Sequence, residues 1–600
     1  MRKISFTIVF ALGMGWTMLA GDIILGVNGK TKHQIIVPDQ YENPISQESV
    51  EQSAKLIQEA FAANSVKLDI VKESQKDKDK HGIYLGATKF AKENGVEISK
   101  LKNWQNTHKA IGKDVIIVGN DMPNPIKGDS QPDADKGVPY PYLVTFHSTA
   151  EFLYRYAGAR FLKPGSDGIE FLPLTAISVP ENLNTTQEPF FLEHHWISDR
   201  AKVGELFAIA NHGIRFQKVW SKGGHQHNVA VPKEKYGETN PEYFIQTGAG
   251  LRKKNTVHLC YSNKEVRELI YKHILEKCDE GYDVVEVGQP DGFIPCACKE
   301  CYELYGIRPV TNPSNGAVWY ADPAWNEKLW IMHRDIALRL MKDRPDKKIM
   351  VTAYSISSNP PQTINEFPEN MIVEMMHSDR EDFEDWSKIK VPCGYAAYLY
   401  SWGNFHLTGM TPKNEVSYFG RQSKLFQEKN VRIIQMNGKP FQYGLEGPNI
   451  YAYLRLGVDP KMKNTDELFR EYLEASFREA ETPMRRFFTK LQNALMLYQL
   501  NVDYIKKMGR DPIRLMGIIY TPELISSMEE ELVRAERTAT QQKVKNRIAT
   551  VRGEFDFLKH IVDVIYCWHN YQNRKNQVSL EQLLDSVEAR NKHLDELISK

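Results

Sequence analysis

The stretch Val284-Val285-Glu286-Val287-Gly288 is a short β run that leads directly into Gln289-Pro290-Asp291-Gly292. Successive side chains of a strand point to opposite faces, so Glu286 lies on the face opposite Val285 and Val287. If those valines pack against helices, Glu286 points into the interior of the sheet, where burying a charge without a purpose is costly. The pattern therefore indicates a buried strand whose carboxyl end carries functional groups.

Seven further β runs accompany this one, and helical patterns separate most of them. The eight runs cover residues 190–196, 214–220, 258–262, 284–288, 348–355, 370–376, 394–400 and 431–436. Eight strands that alternate with helices over about 250 residues predict an α/β fold, a TIM-like (β/α)8 barrel. The alternative is a doubly wound open sheet, but no Gly-rich phosphate-binding turn follows the first run.

We expect the barrel to occupy residues 187–455, between two other domains. Residues 22–186 alternate short β runs with helical patterns, which predicts a small α+β domain with helices on one face of its sheet. Residues 456–600 have a helical pattern to the end and predict an all-helical C-terminal domain packed on the barrel.

Residues 1–21 have the pattern of a secretory signal peptide. Arg2 and Lys3 precede an apolar run from Ile4 to Ala20, which is short for a membrane span of about 20 residues. An uncleaved membrane anchor is the alternative. Asp22 stands where a bacterial lipoprotein would need a cysteine. We therefore expect a secreted or periplasmic protein with no membrane attachment after signal cleavage.

The composition excludes several classes of protein. The 77 Lys and Arg residues nearly cancel the 76 Asp and Glu residues, so no overall field attracts nucleic acid or an anionic membrane. The 42% hydrophobic and 26% charged shares are those of an ordinary soluble protein. Seven cysteines in 600 residues are too few for a disulfide framework.

Four carboxylates at or beyond the predicted strand ends are the candidate catalytic residues: Asp291, Glu374, Asp379 and Glu286. Glu374, like Glu286, alternates with apolar neighbours in its run, whereas the two aspartates lie in the loops that follow. Glycoside hydrolysis needs paired carboxyls, because one protonates the leaving oxygen while the other attacks or activates water. Both aspartates could instead have structural roles. Asp291-Gly292 is a favourable turn dipeptide, and Asp379 is the first of several acidic residues at the start of a predicted helix.

Histidines, aromatic residues and polar residues at the same strand ends would line a sugar pocket. These candidate substrate-binding residues are His194, His195, Trp196, His225, His227, Tyr400, Trp402, Asn437 and Glu446. A uronate substrate would also need basic residues, for which Arg215, Lys218 and Lys439 are the nearest candidates. The histidines alternatively suggest a metal site, but His-x-His in a Gly-rich loop is a weak pattern.

Cys296, Cys298 and Cys301 place three thiols within six residues. This spacing indicates a structural metal site, for which zinc usually takes four ligands, so Cys260, His258 or another histidine would complete it. In an oxidising compartment the alternative is a local disulfide, or reduced thiols that shape this loop. No cofactor is expected for catalysis itself.

Four motifs follow one another along the barrel region. They are His225-Gln226-His227, Asn240-Pro241-Glu242-Tyr243-Phe244, Leu259-Cys260-Tyr261-Ser262-Asn263-Lys264-Glu265-Val266, and Asp291 followed by Cys296-x-Cys298-x-x-Cys301. In this order they resemble the domain-of-unknown-function family 4838 (DUF4838) of exported bacterial proteins, over about residues 30–460. The stretch 158–165 resembles the small α+β domain that precedes the barrel in α-glucuronidases and β-hexosaminidases. The resemblance implies a glycoside-hydrolase-like barrel, although Gly292 after Asp291 departs from the adjacent Asp-Glu pair of retaining β-hexosaminidases.

The sequence therefore predicts an exported glycoside hydrolase that acts on a poly- or oligosaccharide. The resemblance implies a substrate with uronic acid or N-acetylhexosamine, as in α-glucuronidases and β-hexosaminidases. Asp291 is the predicted general acid, with Glu374 or Asp379 as base or nucleophile. The alternatives are a non-catalytic glycan-binding protein on the same scaffold and a metal-dependent hydrolase or lyase.

Overall fold

The computed structural model of the chain divides into two compact units. It describes residues 21–102, 104–122, 142–191, 193–194, 202–213, 219–221, 224–310, 322–400, 412, 414–436, 443–461, 463–500 and 512–598. The first unit comprises the described residues up to Asn120 together with Val144–Ala159 and Phe171–Gln187. The second comprises the remaining described residues. The predicted signal peptide lies outside the described residues, apart from Gly21.

A six-stranded mixed sheet forms the centre of the first unit. The strands up to residue 187 are β1 (Asp22–Val27), β2 (His33–Val37), β3 (Ile70–Lys72), β4 (His81–Leu85), β5 (Asn106–Ile111), β6 (Asp114–Gly119), β7 (Ala159–Phe161), β8 (Ile169–Phe171), β9 (Ala176–Pro180) and β10 (Asn184–Gln187). The helices of this stretch are α1 (Pro44–Ala62), α2 (Lys89–Glu93) and α3 (Val144–Tyr156). The six strands lie in the order β10-β5-β6-β4-β2-β3, and β1 pairs separately with β9.

Both faces of this six-stranded sheet are covered by helices. On one face α1 and α3 pack together, where Ser49 Oγ accepts a hydrogen bond from the Phe146 backbone N at 3.0 Å. The short α2 packs on the other face, where Ala91 joins a core cluster with Ile36 and Tyr84. The prediction had placed helices on one face only. Since the central strands are apolar on both faces, each face must be removed from water.

The second unit contains a seven-stranded, all-parallel sheet. Its strands are β11 (Glu193–His194), β12 (Val219–Trp220), β13 (Val284–Val287), β14 (Lys348–Ala353), β15 (Met371–Met375), β16 (Tyr395–Leu399) and β17 (Val431–Met436). They lie in the order β11-β17-β16-β15-β14-β13-β12, so the first strand pairs with the last. This is the pairing that closes a barrel, although among the described residues no ladder joins β11 to β12.

The sheet is strongly curved. Ser221, directly after β12, donates a hydrogen bond from its Oγ to Gln435 Oε1 of β17 at 2.7 Å. Four strands separate β12 from β17, so a flat sheet would hold them roughly 24 Å apart. The two side chains therefore meet across the interior of a barrel-like sheet.

An apolar layer fills the inner face of the sheet. It takes one residue from each of six strands: Val219, Val284, Met350, Ile372, Ala396 and Ile433. Layers of this kind are how small barrels fill their interior.

The third predicted β run, residues 258–262, does not join the sheet, because β12 pairs directly with β13. The Cys260 backbone N instead donates to Tyr243 O at 2.8 Å, and the Ile245 backbone N donates to His258 O at 3.2 Å. An apolar run predicts a strand without specifying its partner, and here the backbone groups are satisfied by an antiparallel partner outside the sheet. The described sheet therefore has seven strands instead of the predicted eight.

Helices connect the strands of the second unit and continue beyond the last one. Those between the strands are α4 (Lys202–Ala210), α5 (His227–Ala230), α6 (Lys233–Tyr236), α7 (Lys264–Asp279), α8 (Lys299–Tyr302), α9 (Pro323–Asp343), α10 (Arg380–Trp386) and α11 (Val416–Glu428). After the last strand come α12 (Gly447–Val458), α13 (Thr465–Phe477), α14 (Glu481–Leu500), α15 (Pro512–Ile519), α16 (Pro522–Thr538), α17 (Gln542–Arg574) and α18 (Gln577–Ile598). Within the described ranges, no helix combines the length and apolarity needed to cross a membrane.

The helices after β17 belong to the same compact unit as the parallel sheet. Buried Glu554 of α17 accepts hydrogen bonds from the backbone N atoms of Gly444 and Leu445, at 2.8 and 2.6 Å. A C-terminal helix thus fixes the chain just before α12. The domain boundaries expected at residues 186 and 455 stay predictions.

The inner apolar layer makes a direct prediction about stability. Met350 is fully buried in that layer, so Met350→Ala should lower the free energy of unfolding by about 2–5 kcal/mol through the cavity it leaves. Urea denaturation followed by tryptophan fluorescence measures the change. Leu584→Ala is the control, since Leu584 is 58% exposed and its loss should change the value by no more than about 0.5 kcal/mol. Equal effects of both variants would contradict a packed barrel interior.

Candidate functional site

A layer of polar side chains follows the apolar layer toward the carboxyl ends of the strands. Each member stands two residues after a member of the apolar layer, so it points to the same inner face. This polar layer consists of Ser221, Glu286, Thr352, Glu374, Tyr398 and Gln435. All are buried except Tyr398, which is half-buried. Polar groups at this level of a barrel are where functional side chains are placed.

Glu286 is fully buried on β13 and is bound by a residue from the neighbouring loop. Gln226 Nε2 donates to Glu286 Oε2 at 2.7 Å, and the Gln226 backbone N donates to Gly288 O at 3.1 Å. A Cβ on Gly288 would lie 1.9 Å from Gly224 O, and Gly224 itself has a φ of +93°. Two glycines therefore allow the loop after β12 to lie directly against the end of β13.

Glu374 is fully buried on β15, directly opposite Thr352 of β14. Thr352 Oγ1 donates to Glu374 Oε2 at 3.1 Å. Strands β13 and β15 flank β14, so the backbones that carry Glu286 and Glu374 are roughly 10 Å apart across the sheet. Both carboxylates face the same interior, each with a hydrogen-bond donor from an adjacent element.

Aromatic residues stand one step further along the strands, at the carboxyl end of the parallel sheet, which we call the mouth. Tyr354 follows Thr352 by two residues, and Tyr400 Oη contacts Met376 Sδ at 3.7 Å. The pKa of Tyr400 is raised to about 12, first by burial and then by neighbouring Tyr354, Glu374 and Asp291. Tyr400, like Tyr354, stands two residues beyond a member of the polar layer, so both tyrosines follow that layer on the inner face.

Asp291 lies in the exposed loop after β13, and its side chain is 71% exposed. Its Oδ1 accepts a hydrogen bond from the Gly292 backbone N at 2.9 Å and lies 4.0 Å from His225 Nε2. His225 is oriented by a 2.8 Å hydrogen bond between its Nδ1 and Gln289 O, and its ring centre lies 5.9 Å from that of Tyr354. Asp291 is thus both a turn residue and a member of the mouth.

Two other predicted acids lie at the starts of helices. Asp379 is exposed at the N-terminus of α10, where its backbone N donates to Asp382 Oδ2 at 2.9 Å. Glu446 is buried before α12, and Asn449 Nδ2 donates to its Oε2 at 2.5 Å. Asp379 therefore takes part in a capping box at the start of α10, whereas Glu446 is bound by a side chain of α12. Their roles in the site stay predictions.

His227 is a core residue in this structure, although the sequence predicted a substrate contact. Its Nδ1 lies 2.8 Å from Tyr261 Oη and its Nε2 3.2 Å from His333 Nε2. Burial, followed by His333 and His225, lowers the pKa of His227 well below its usual value. His225, two residues earlier, is half-buried and lies beside Asp291 instead.

Several predicted residues cannot be placed at the mouth from side-chain geometry. For His194 the structure describes the backbone in β11, which pairs with Ile434. His195, Trp196, Trp402 and Asn437 lie outside the described residues, as do the basic candidates Arg215, Lys218 and Lys439. Their roles in substrate binding stay predictions.

Four buried cysteines form a second cluster, beside the loop that carries Asp291. The predicted ligands Cys296, Cys298 and Cys301 are joined by Cys260, and their ligand atoms all lie within 4.8 Å of one another. Cys260 was one of several residues that the sequence offered as a fourth ligand. The four side chains are close enough to hold a metal ion.

The family model for "Domain of unknown function (DUF4838)" matches residues 165–489, more than half of the chain. The chain belongs to the DUF4838 family. No curated protein matches the DUF4838 chain in sequence. Among solved structures, CpGH84B is similar over 97% of this chain and 95% of its own, with 10% identity and a TM-score of 0.36.

Two further solved structures have similar scores. The β-N-acetylhexosaminidase from Bacteroides fragilis NCTC 9343 is 10% identical over 76% of the DUF4838 chain and 92% of its own, with a TM-score of 0.40. A GH138 enzyme targeting pectin rhamnogalacturonan II is 10% identical over 94% of the DUF4838 chain and 92% of its own, with a TM-score of 0.32. Identities and TM-scores this low carry no argument about function. The function of the DUF4838 protein is therefore argued from the residues of its own site.

Sequence reasoning missed several residues of the DUF4838 site, among them Thr352, Tyr354 and Gln226. Thr352 and Tyr354 follow Met350 at two-residue spacing in the fifth β run, so strand alternation would have placed them on the inner face. Gln226 lies in a loop, where no periodicity indicates which way an amide points. Only the tertiary contact with Glu286 reveals it.

The buried histidine pair predicts a pH dependence of stability. Burial lowers the pKa of His333 to about 3, so the folded protein holds it neutral while the unfolded chain takes up a proton below about pH 6.5. Its contribution to stability is therefore present above that pH and is lost as the pH falls. At pH 5 the loss for one such histidine is about 2 kcal/mol.

His333→Gln should accordingly reduce the drop in unfolding free energy between pH 7 and pH 5 by about 2 kcal/mol. Urea denaturation at both pH values measures it. His377→Gln is the matched control, because His377 is exposed and its replacement should leave the drop unchanged. An unchanged drop in His333→Gln would mean that the folded protein protonates His333 as readily as the unfolded chain does.

Proposed function

We propose that this DUF4838 protein is an exported glycoside hydrolase that cleaves a poly- or oligosaccharide by paired-carboxylate chemistry. The observation that carries the proposal is the pair of buried carboxylates, Glu286 and Glu374, each bound by a hydrogen-bond donor on the inner face of a parallel sheet, near the carboxyl ends of its strands. Functional sites of barrel enzymes are built at this end. Export rests on the N-terminal pattern of Arg2 and Lys3 before an apolar run.

Asp291 is the proposed general acid. It is accessible to a leaving group that enters from solvent, since its side chain is 71% exposed. His225 Nε2 lies 4.0 Å from Asp291 Oδ1, which places an imidazole ring beside it. A general acid must reach the glycosidic oxygen from the side of the leaving group, and an exposed carboxyl in a mouth loop fits that role.

Glu374 is the proposed nucleophile or base. It lies deeper, on the strand, and Thr352 Oγ1 holds one of its oxygens at 3.1 Å. A carboxylate fixed by a strand is suited to act on the anomeric carbon or on a water, since both roles require a defined direction of attack. Glu286, held by Gln226, would act as a positioning residue in the polar layer.

Three tyrosines at the mouth provide the kinds of groups that bind sugars. Tyr354, Tyr398 and Tyr400 are half-buried, so each presents part of a ring and a hydroxyl, as sugar recognition requires. The Tyr400 hydroxyl, which contacts Met376 Sδ at 3.7 Å, would donate a hydrogen bond to a sugar oxygen. A substrate that contains uronic acid or N-acetylhexosamine follows from the family resemblance.

A panel of aryl glycosides, with oligosaccharides assayed for released uronic acid, tests the activity. On substrates with a poor leaving group, Asp291→Asn should lower kcat/KM by about 10²–10⁴-fold, the usual contribution of general acid catalysis. On dinitrophenyl glycosides its loss should be much smaller, because that leaving group departs without a proton. Glu374→Gln should lose activity on both kinds of substrate.

Asp379→Asn is the matched control. Asp379 caps the start of α10, and asparagine caps a helix equally well, so the turnover of this variant should stay near that of the wild type. Full activity of both Asp291→Asn and Glu374→Gln would refute the assignment. If the whole panel stays silent while oligosaccharides bind, the protein is a glycan-binding protein instead.

A further inference from the structure

The four buried cysteines have the arrangement of a metal-binding tetrahedron. Cys260 Sγ lies 3.7 Å from Cys298 Sγ and 3.6 Å from Cys301 Sγ. Four sulfurs that each lie about 2.3 Å from a central zinc ion form a tetrahedron with edges of about 3.8 Å. The observed separations match those edges. They are far longer than the roughly 2.05 Å of a disulfide bond.

Backbone amides are directed at the sulfurs from three sides. Gln246 N donates to Cys296 Sγ at 3.2 Å, Ser262 N to Cys301 Sγ at 3.3 Å, and Cys301 N to Cys298 Sγ at 3.4 Å. Such hydrogen bonds stabilise thiolates, the form in which cysteine binds a metal, and they orient the ligands. Neutral thiols in a packed core have no comparable need for three donors.

Four thiolates bound to a divalent ion would carry a net negative charge. Two basic side chains lie close enough to the cluster to compensate that charge. Arg252 Nη1 lies 3.6 Å from Cys296 Sγ and also donates to Phe244 O at 2.8 Å. Lys328 Nζ, almost fully buried, donates to Cys301 O at 2.8 Å. Lys328 Nζ also donates to Tyr302 O at 3.0 Å, so it brings a positive charge to the backbone that carries Cys301.

We infer that Cys260, Cys296, Cys298 and Cys301 bind one structural zinc ion. All four ligands come from the protein and all are buried, which is the closed coordination of a structural site and leaves no open position for a substrate. Soft thiolate ligands in a tetrahedron select zinc over calcium or magnesium.

The ion would tie the loop after β13 to the antiparallel segment that replaces the third strand. Ala297 N already donates to Gln246 O at 2.8 Å, and Ile294 N donates to His258 Nδ1 at 3.4 Å. Asp291 stands five residues before Cys296 in the same loop. Any effect of the ion on turnover through Asp291 rests on the proposed function. The inference that the four cysteines bind an ion does not depend on that function.

Metal analysis of the purified full-length chain tests the site directly. Elemental mass spectrometry after expression with added zinc should find about one zinc ion per chain. Cobalt substitution should give the intense visible absorption of a tetrahedral thiolate site. The inference would be overturned if the protein held less than a tenth of that zinc. It would also be overturned if the native mass were lower by four hydrogens, because that would show two disulfide bonds.

Variants separate this site from the other cysteines and from catalysis. Cys298→Ser should lower the amount of zinc that stays bound after treatment with a chelator by at least about 10-fold. Losing a residue that only supports a metal ligand already costs about that much affinity, and Cys298 is itself a ligand in the inferred site. Cys278→Ser is the control, since Cys278 is buried in α7 outside the cluster, and it should keep its zinc. Asp291→Asn should also keep zinc. An inactive wild type with full zinc would refute only the glycosidase, and an active wild type without zinc would refute only the metal site.

Discussion

The burial of two carboxylates inside one parallel sheet is the constraint on which the second unit depends. Moving an ionised carboxylate out of water costs several kcal/mol unless donors replace the lost hydration. Glu286 receives its donor from Gln226, and Glu374 receives one from Thr352. Because Thr352 is the register partner of Glu374, a slip of one residue would turn the glutamate toward the helices and leave it without this donor.

The loops are shaped so that these donors reach the strands. Gln226 approaches Glu286 because Gly224 and Gly288 leave space for the loop after β12. That approach also requires β12 to be the direct neighbour of β13, which holds because residues 258–262 are displaced from the sheet. The displaced segment carries Cys260 into the cysteine cluster. The seven-stranded order, the cluster and the polar layer are therefore parts of one arrangement.

The candidate site combines a buried carboxylate on a strand with an exposed carboxylate in a loop. Glu374 is fixed on a strand below Tyr400, whereas Asp291 is exposed in a loop above the strand end. The proposed paired-carboxylate chemistry would benefit from this difference, because the proposed acid must reach the departing group while the proposed nucleophile must hold its direction. A closed metal site beside the loop would limit how far Asp291 moves.

The sequence by itself determined what is local. Alternation along a strand placed Glu286 and Glu374 on the same face as the apolar residues two positions before them, and seven of the eight β runs form strands of the parallel sheet. Three cysteines within six residues indicated a metal site without its fourth ligand. Each of these inferences needs only neighbours within one element, where the periodicity of the backbone dictates direction.

The tertiary structure decided what depends on partners distant in the chain. Cys260 lies 36 residues before Cys296, and no local pattern distinguishes it from His258 as a ligand. The third run pairs outside the sheet, His227 is buried against His333, and Asp379 caps a helix. An apolar run, a histidine or an aspartate has the same local signature in either role, because its role is set by which surface packs against it. That surface exists only once the chain has folded.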